Sequence, residues 1–151
     1  MKQLSKILAI GTFSGLVYVS LELLYRQTSD ITMFFLAFMV GIILTFINDE
    51  IIEYTTPFEF QVLAGTLVST CFEFIFGMLF NQDYHIWDYR ALSGSFLFDQ
   101  VNIFFIGAWA LICVFGIPLL DTIQWKLGLG PAPYYCFLLT GDKKYYLFKN
   151  E

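Results

Sequence analysis

Charge is what this sequence has least of. Only 14% of its 151 residues are Asp, Glu, Lys or Arg, where a soluble domain carries about 25%. A soluble fold of this size could not hide the apolar remainder, so the shortage excludes an ordinary water-soluble domain. Basic residues number 8 against 13 acids, a net charge of −5. That leaves no basic surface for phosphate and excludes nucleic acid as a partner. Histidine occurs once, at His85, with no second His or Cys beside it, so no metal site is indicated. Cys71, Cys113 and Cys136 form no C-x-x-C pair and read as small hydrophobes, not as metal ligands or a disulfide framework. A Walker A loop, a G-x-S-x-G elbow, an H-E-x-x-H helix and a Ser/His/Asp arrangement are all missing, and no cofactor is expected. Tandem repeats and low-complexity tracts are missing too.

What is present is apolar. Hydrophobic residues make up 58% of the chain and the mean hydropathy is +0.67. The 18 Phe, 9 Tyr and 3 Trp suit lipid-facing and interfacial positions. Four segments are long enough to cross roughly 30 Å of hydrocarbon, which takes about 20 helical residues. They run from Ile7 to Tyr25, Ile31 to Ile47, Phe60 to Phe80 and Phe98 to Leu120. Helices are the default, because the backbone must satisfy its own hydrogen bonds in lipid. The expected fold is therefore all-α and integral to the membrane: a four-transmembrane-helix bundle over residues 1–125, with a short tail over 126–151. Lys2 and Lys6 ahead of an apolar run also fit a signal peptide. No A-x-A-like site follows and Glu22 and Arg26 do, so a retained helix is expected.

Basic residues set the orientation. Lys2 and Lys6 precede the first helix, while Lys126, Lys143, Lys144 and Lys149 follow the fourth. The positive-inside rule then places both termini in the cytoplasm and calls for an even number of spans. Asp49, Glu50 and Glu53 in the second connection run mildly against this, since acids contribute little to orientation. The tail opens on the helix-breaking Gly128 to Pro133 stretch. Two aromatic runs around a Gly-containing turn then fit a β-hairpin, and an interfacial or disordered tail fits as well.

Polar residues fall in stripes. Gly11, Gly15, Tyr18, Glu22 and Arg26 are spaced by three or four and share one helix face. Gly11 and Gly15 form a GxxxG, which admits a close neighbour, and Glu22 can pair with Arg26. On the third helix Gln61, Gly65, Thr66, Ser69, Thr70, Glu73, Gly77 and Asn81 form one broad face. Val62, Leu63, Val68, Phe72, Phe76 and Leu79 form the expected lipid side. A carboxylate at the bilayer centre costs about 2.5–3.5 kcal/mol on insertion scales, so Glu73 must pair, protonate or face water. It is either a substrate, ion or proton site or a structural tie, with Arg26 and Arg90 as the simple partners. With both termini inside, Glu22, Arg26, Glu73, Asn81, Trp87, Asp88, Arg90, Asp99, Gln100 and Asn102 all lie toward the external leaflet. The inner halves of the first, second and fourth helices are nearly bare of such groups. One polar cluster, open or half-open to the outside, is expected.

These residues carry a resemblance. Gly15-x-x-Tyr18-x-x-x-Glu22-x-x-x-Arg26, then Ile47-Asn48 with its following acids, then Gln61-x-x-x-Gly65 form its first half. Thr70-x-x-Glu73-Phe74-x-x-Gly77-x-x-x-Asn81, then Trp87-Asp88-Tyr89, and Gln100 with Trp109 nine residues on form the second. Over roughly residues 6 to 126 the chain resembles a family of small bacterial and phage membrane proteins. They are known as ABC transporter permeases of the type called type IV or CmpB-like. The sequence departs from that pattern in places. Where the family carries a Gly and then a His after Arg26, this chain has Gln27-Thr28-Ser29-Asp30. Ala37-Phe38 stands in place of a Gly-Gly pair, and Asp99 in place of the Gly before Gln100.

The resemblance implies a permease-like component of a bacterial cell membrane. The 151 residues hold no ATPase domain, so an ABC role requires a separate ATPase subunit. A transport-type component would bind a solute, ion or lipid headgroup at Glu22, Arg26, Glu73, Asn81, Trp87, Asp88, Arg90 and Gln100, with Glu73 and Glu22 as binding or protonating groups. An interaction, scaffold or regulatory subunit would hold the same residues closed on one another. The partners expected besides the bilayer are a second copy or another membrane subunit. A membrane-embedded enzyme fits least, since acids are present without a nucleophile or metal centre.

Overall fold

A computed structural model describes residues 2–47, 52, 53 and 55–148 of the chain. Asn48, Asp49, Glu50 and Lys149 therefore lie outside the described residues. Among the described residues are four α-helices, α1 (Lys2–Arg26), α2 (Ile31–Phe46), α3 (Phe58–Phe80) and α4 (Ile103–Lys126). Two small antiparallel hairpins accompany them: β1 (Ser95–Phe96) with β2 (Val101–Asn102), and β3 (Tyr134–Phe137) with β4 (Gly141–Tyr146).

Three helices, α1, α3 and α4, are long and apolar enough to cross a membrane. The fourth, α2, has 16 residues, about 24 Å at 1.5 Å per residue, against roughly 30 Å of hydrocarbon. Membrane crossing by length and composition thus holds for three helices, not the four expected.

The surface chemistry is inverted relative to a soluble bundle. On α3 the exposed ridge is Leu63, Leu67, Cys71, Ile75 and Leu79, at i,i+4 spacing, while Gln61, Thr66, Ser69 and Glu73 are buried. The expected lipid side was drawn too wide, because Val62, Phe72 and Phe76 pack against the core. Polar groups inside and leucines outside are what lipid selects, since hydrocarbon is as apolar as leucine and gives helices no hydrophobic reason to associate. The buried hydroxyls are satisfied locally: Thr66 Oγ1 donates to Val62 O at 2.7 Å and Ser69 Oγ to Gly65 O at 2.8 Å.

Packing follows the small residues. The Gly11 and Gly15 notch receives the rings of Phe38 and Phe34 from α2, and a Cβ on either glycine would come within 2.6 Å of ring carbon. This close seam joins α1 to α2 along its length, whereas α4 packs on α3 and α2 and hardly meets α1. A gap between α1 and α4 remains.

Two helix ends differ from the sequence expectation for α4. It begins at Ile103, five residues later than Phe98, because Leu97, Phe98 and Asp99 take left-handed φ values of 52°, 58° and 54° and close the β1–β2 hairpin. Asn102 then caps the helix by accepting Phe104 N–H at 2.9 Å. It ends at Lys126, with Pro118 inside rather than at its end.

The tail is the hairpin, not a free interfacial segment. Tyr135 is buried, its ring meets Phe58 with centroids 4.9 Å apart, and its hydroxyl donates to Asp121 Oδ2 at 2.6 Å. Leu138 N–H reaches Glu59 Oε2 at 3.1 Å. The tail is thereby docked on the start of α3 and the end of α4.

Candidate functional site

The gap between α1 and α4 is a half-open cavity of about 460 Å³. Tyr18, Leu21, Glu22, Tyr25 and Arg26 of α1 form one wall, and Phe105, Ala108, Trp109 and Ile112 of α4 the other. Glu73 of α3 lies between them, and Trp87, Asp88, Tyr89 and Leu92 of the third connection close the end. A smaller cavity of about 150 Å³ shares Glu22 and Arg26 and continues to Thr28, Ser29, Asp30 and His85.

The connection is held by a polar clamp. Asn81, fully buried at the end of α3, donates from Nδ2 to Trp87 O at 2.7 Å and to Gln100 Oε1 at 3.1 Å. Its Oδ1 accepts Ile86 N–H at 2.8 Å. Gln100 Nε2 returns a bond to Asn81 O at 3.0 Å, and Trp87 Nε1 donates to Gln100 O at 3.1 Å. Gly77 makes room for this, since a Cβ there would stand 2.5 Å from Gln100 Oε1. Every polar atom of the Asn81 and Gln100 side chains is engaged, which makes these two residues positioning groups for the loop. Neither lines the cavity.

Three carboxylates do line it, each in a different setting. Glu22 accepts Arg26 Nη1–H at 3.0 Å and Ser29 Oγ–H at 2.6 Å, while Arg26 Nη2 donates to Ile86 O at 3.1 Å. Asp88 is exposed and takes a bidentate grip from Arg90, at 2.9 Å from Nε and 2.7 Å from Nη2. Those bonds hold the Asp88 carboxyl at about 2, below the usual range, and the Arg90 guanidinium above its own. Arg90 also lies 4.3 Å from the centroid of the Tyr84 ring, and it does not line the cavity.

Glu73 is the exception. It is 4% exposed and accepts Tyr89 Oη–H at 2.8 Å and Trp109 Nε1–H at 3.0 Å. Among the described residues, no ion pair reaches it. Of the partners open to it in the sequence, Arg26 and Arg90 are not the ones used: both arginines are spent on nearer acids, at i−4 and i−2. Three acids in the cavity wall thus face two arginines, and Glu73 is the uncompensated one.

Of the expected site residues, the fold brings Glu22, Arg26, Glu73, Trp87 and Asp88 together around the cavity and leaves Asn81, Arg90 and Gln100 behind or outside it. Asp99 and Asn102 stand on the β1–β2 hairpin and are not in the wall either. Sequence reasoning missed the aromatic lining of Tyr25, Tyr89 and Phe105, with Tyr89 stacked on Phe105 at 4.5 Å.

The expectation of a single polar cluster is also corrected. At the opposite end of the bundle Asp121 and Gln124 of α4 and Gln61 of α3 are all buried. The Oε1 atoms of Gln61 and Gln124 have no hydrogen-bond partner among the described residues. The signal was legible but cut off, because stopping the fourth helix at Leu120 left Asp121 and Gln124 outside it.

Compared with known proteins, the chain matches no family model, no curated protein and no solved structure.

Proposed function

We propose that this protein is a transport-type component of a bacterial cell membrane. Its four helices cross the bilayer with both termini on the cytoplasmic side, and its cavity receives a solute from the external side. The observation that carries this reading is Glu73: a buried carboxylate with two hydrogen-bond donors, no cation among the described residues, and a half-open cavity in front of it. A buried charge left uncompensated by the protein is completed by a proton, water or a bound cation. The orientation rests on Lys6, Lys126, Lys143 and Lys144 at one end. The short α2 is consistent with a fourth crossing because it lies along α1 for its whole length. The permease resemblance adds that an ATPase subunit or a second copy would complete the transport path.

The other reading, a scaffold whose charges are purely structural, draws on the closed Glu22–Arg26 and Asp88–Arg90 pairs. Cysteine accessibility separates the two. In intact cells making a chain with Cys71→Ala, a membrane-impermeant thiol reagent should label Ala108→Cys in the cavity wall. It should not label Gly107→Cys, which faces away from the cavity, or Lys144→Cys in the tail. An unlabelled Ala108→Cys with Lys144→Cys also unlabelled means a dry cavity and the scaffold reading; labelling at Lys144→Cys reverses the proposed orientation.

A further inference from the structure

We propose that the solute is an amphiphilic organic cation: an ammonium-type head held at Glu73 and an apolar tail laid between α1 and α4. This rests on the transport-type reading of the cavity and names its ligand class. The first observation is the head site. Among the described residues Glu73 has no cationic partner, and the cavity wall it shares carries Tyr18, Tyr89, Phe105 and Trp109, with Tyr18 and Trp109 near-parallel at 6.3 Å. An aromatic-lined cavity that also holds a lone carboxylate suits an organic cation, which the ring quadrupoles attract and the carboxylate neutralises. The volume of about 460 Å³ falls among small-molecule sites.

A second observation, independent of charge, supplies the tail. Beside the cavity a separate groove of about 110 Å³ lies between the same two helices, with Ala37, Gly41 and Leu44 of α2 as its floor. It shares Tyr18, Leu21 and Ile112 with the cavity. Beyond them its walls are apolar or small, with Phe13 and Val17 on α1 and Gly116 and Leu119 on α4. Head site and groove therefore adjoin and are charged at one end only, the pattern of an amphiphile. Charge decides its sign. The wall carries Glu22, Glu73 and Asp88 against Arg26, with Arg90 behind Asp88. A phospholipid would set its phosphate against that excess of carboxylate, so the occupant is a diffusing cation and not a bilayer lipid.

The full chain in decyl maltoside micelles, which carry no ammonium group, provides the test, with quenching of Trp87 and Trp109 as readout. Dodecyltrimethylammonium should bind saturably. Dodecyl sulfate and tetramethylammonium should each bind at least about tenfold more weakly, since each lacks one half of the match. Glu73→Gln should weaken the dodecyl cation by about tenfold or more, as expected for loss of a charge-assisted contact. Gly116→Leu fills the groove, where a Cβ meets only Leu44 at 3.7 Å. It should weaken the dodecyl cation about tenfold and leave tetramethylammonium unchanged. Equal binding of dodecyl sulfate overturns the proposal, as does a phospholipid retained stoichiometrically in native mass spectrometry. Indifference to Gly116→Leu removes the tail site. Should Glu73→Gln not fold, the cation–anion comparison and Gly116→Leu still decide. The two readings fail separately: an unlabelled Ala108→Cys with Lys144→Cys also unlabelled defeats the transport reading, whereas labelling without cation binding defeats only the ligand class.

Discussion

Removing one hydroxyl tests whether Glu73 is a charged group held by donors. Tyr89→Phe deletes the Oη–H that reaches Glu73 Oε1 at 2.8 Å and keeps the ring stacked on Phe105. Little else changes, because Tyr89 is 7% exposed and its ring still fills the same space. A hydrogen bond to a charged group contributes about 1.5–3 kcal/mol in soluble proteins, while polar couplings measured between membrane helices average about 0.6 and reach about 1.7 kcal/mol. Tyr89→Phe should therefore cost about 1–2 kcal/mol. In a Glu73→Gln background the same change removes only a neutral bond and should cost about 0.5 kcal/mol. The difference, a coupling of about 1 kcal/mol, is the quantity to measure, by steric-trap unfolding in bicelles across the four-protein cycle. Equal costs in both backgrounds, within about 0.3 kcal/mol, would show that the carboxylate is not what Tyr89 holds.

Two further outcomes are expected. Gly77→Ala places a Cβ 2.5 Å from Gln100 Oε1 and 2.9 Å from Gln100 Cβ and should destabilise the chain by about 1–3 kcal/mol in the same unfolding assay, as overpacking does; an unchanged stability would show that the clamp does not need the missing Cβ. Asp88, held at about 2 by the Arg90 side chain against an ordinary 3.8, has a depressed folded value, so its contribution is complete above the ordinary value and lost as pH falls through about 2. Carboxylate carbon NMR should give a midpoint near 2, rising toward the ordinary value in Arg90→Gln; an unmoved midpoint would exclude Arg90 as the cause.

How much the sequence determined by itself follows from what kind of information each feature needs. Apolar run length and the lysines are local quantities, so three membrane-length helices were legible from hydropathy alone. The polar stripe of α3 was legible because 3.6-residue periodicity fixes which side chains share a face. Glu73 as the residue of greatest consequence followed from the cost of placing an acid in hydrocarbon. Its partners did not follow. Arg26 and Arg90 were the simple candidates, but Glu22 and Asp88 stand four and two residues from them, and these short-range pairs close instead. Trp109 and Tyr89 come to Glu73 from 36 and 16 residues away, a meeting that only the packing of α3 on α4 and the fold of the third connection decide. The start of α4 was hidden for a related reason. Leu97, Phe98 and Asp99 look like the opening of an apolar helix, yet they are bent into a left-handed turn because Gln100 is locked to Asn81. The cavity belongs to tertiary structure altogether: it is the space left when α1 packs on α2 through the Gly11–Gly15 notch and α4 packs on α3 and α2, and no local pattern encodes a gap between two helices that hardly meet.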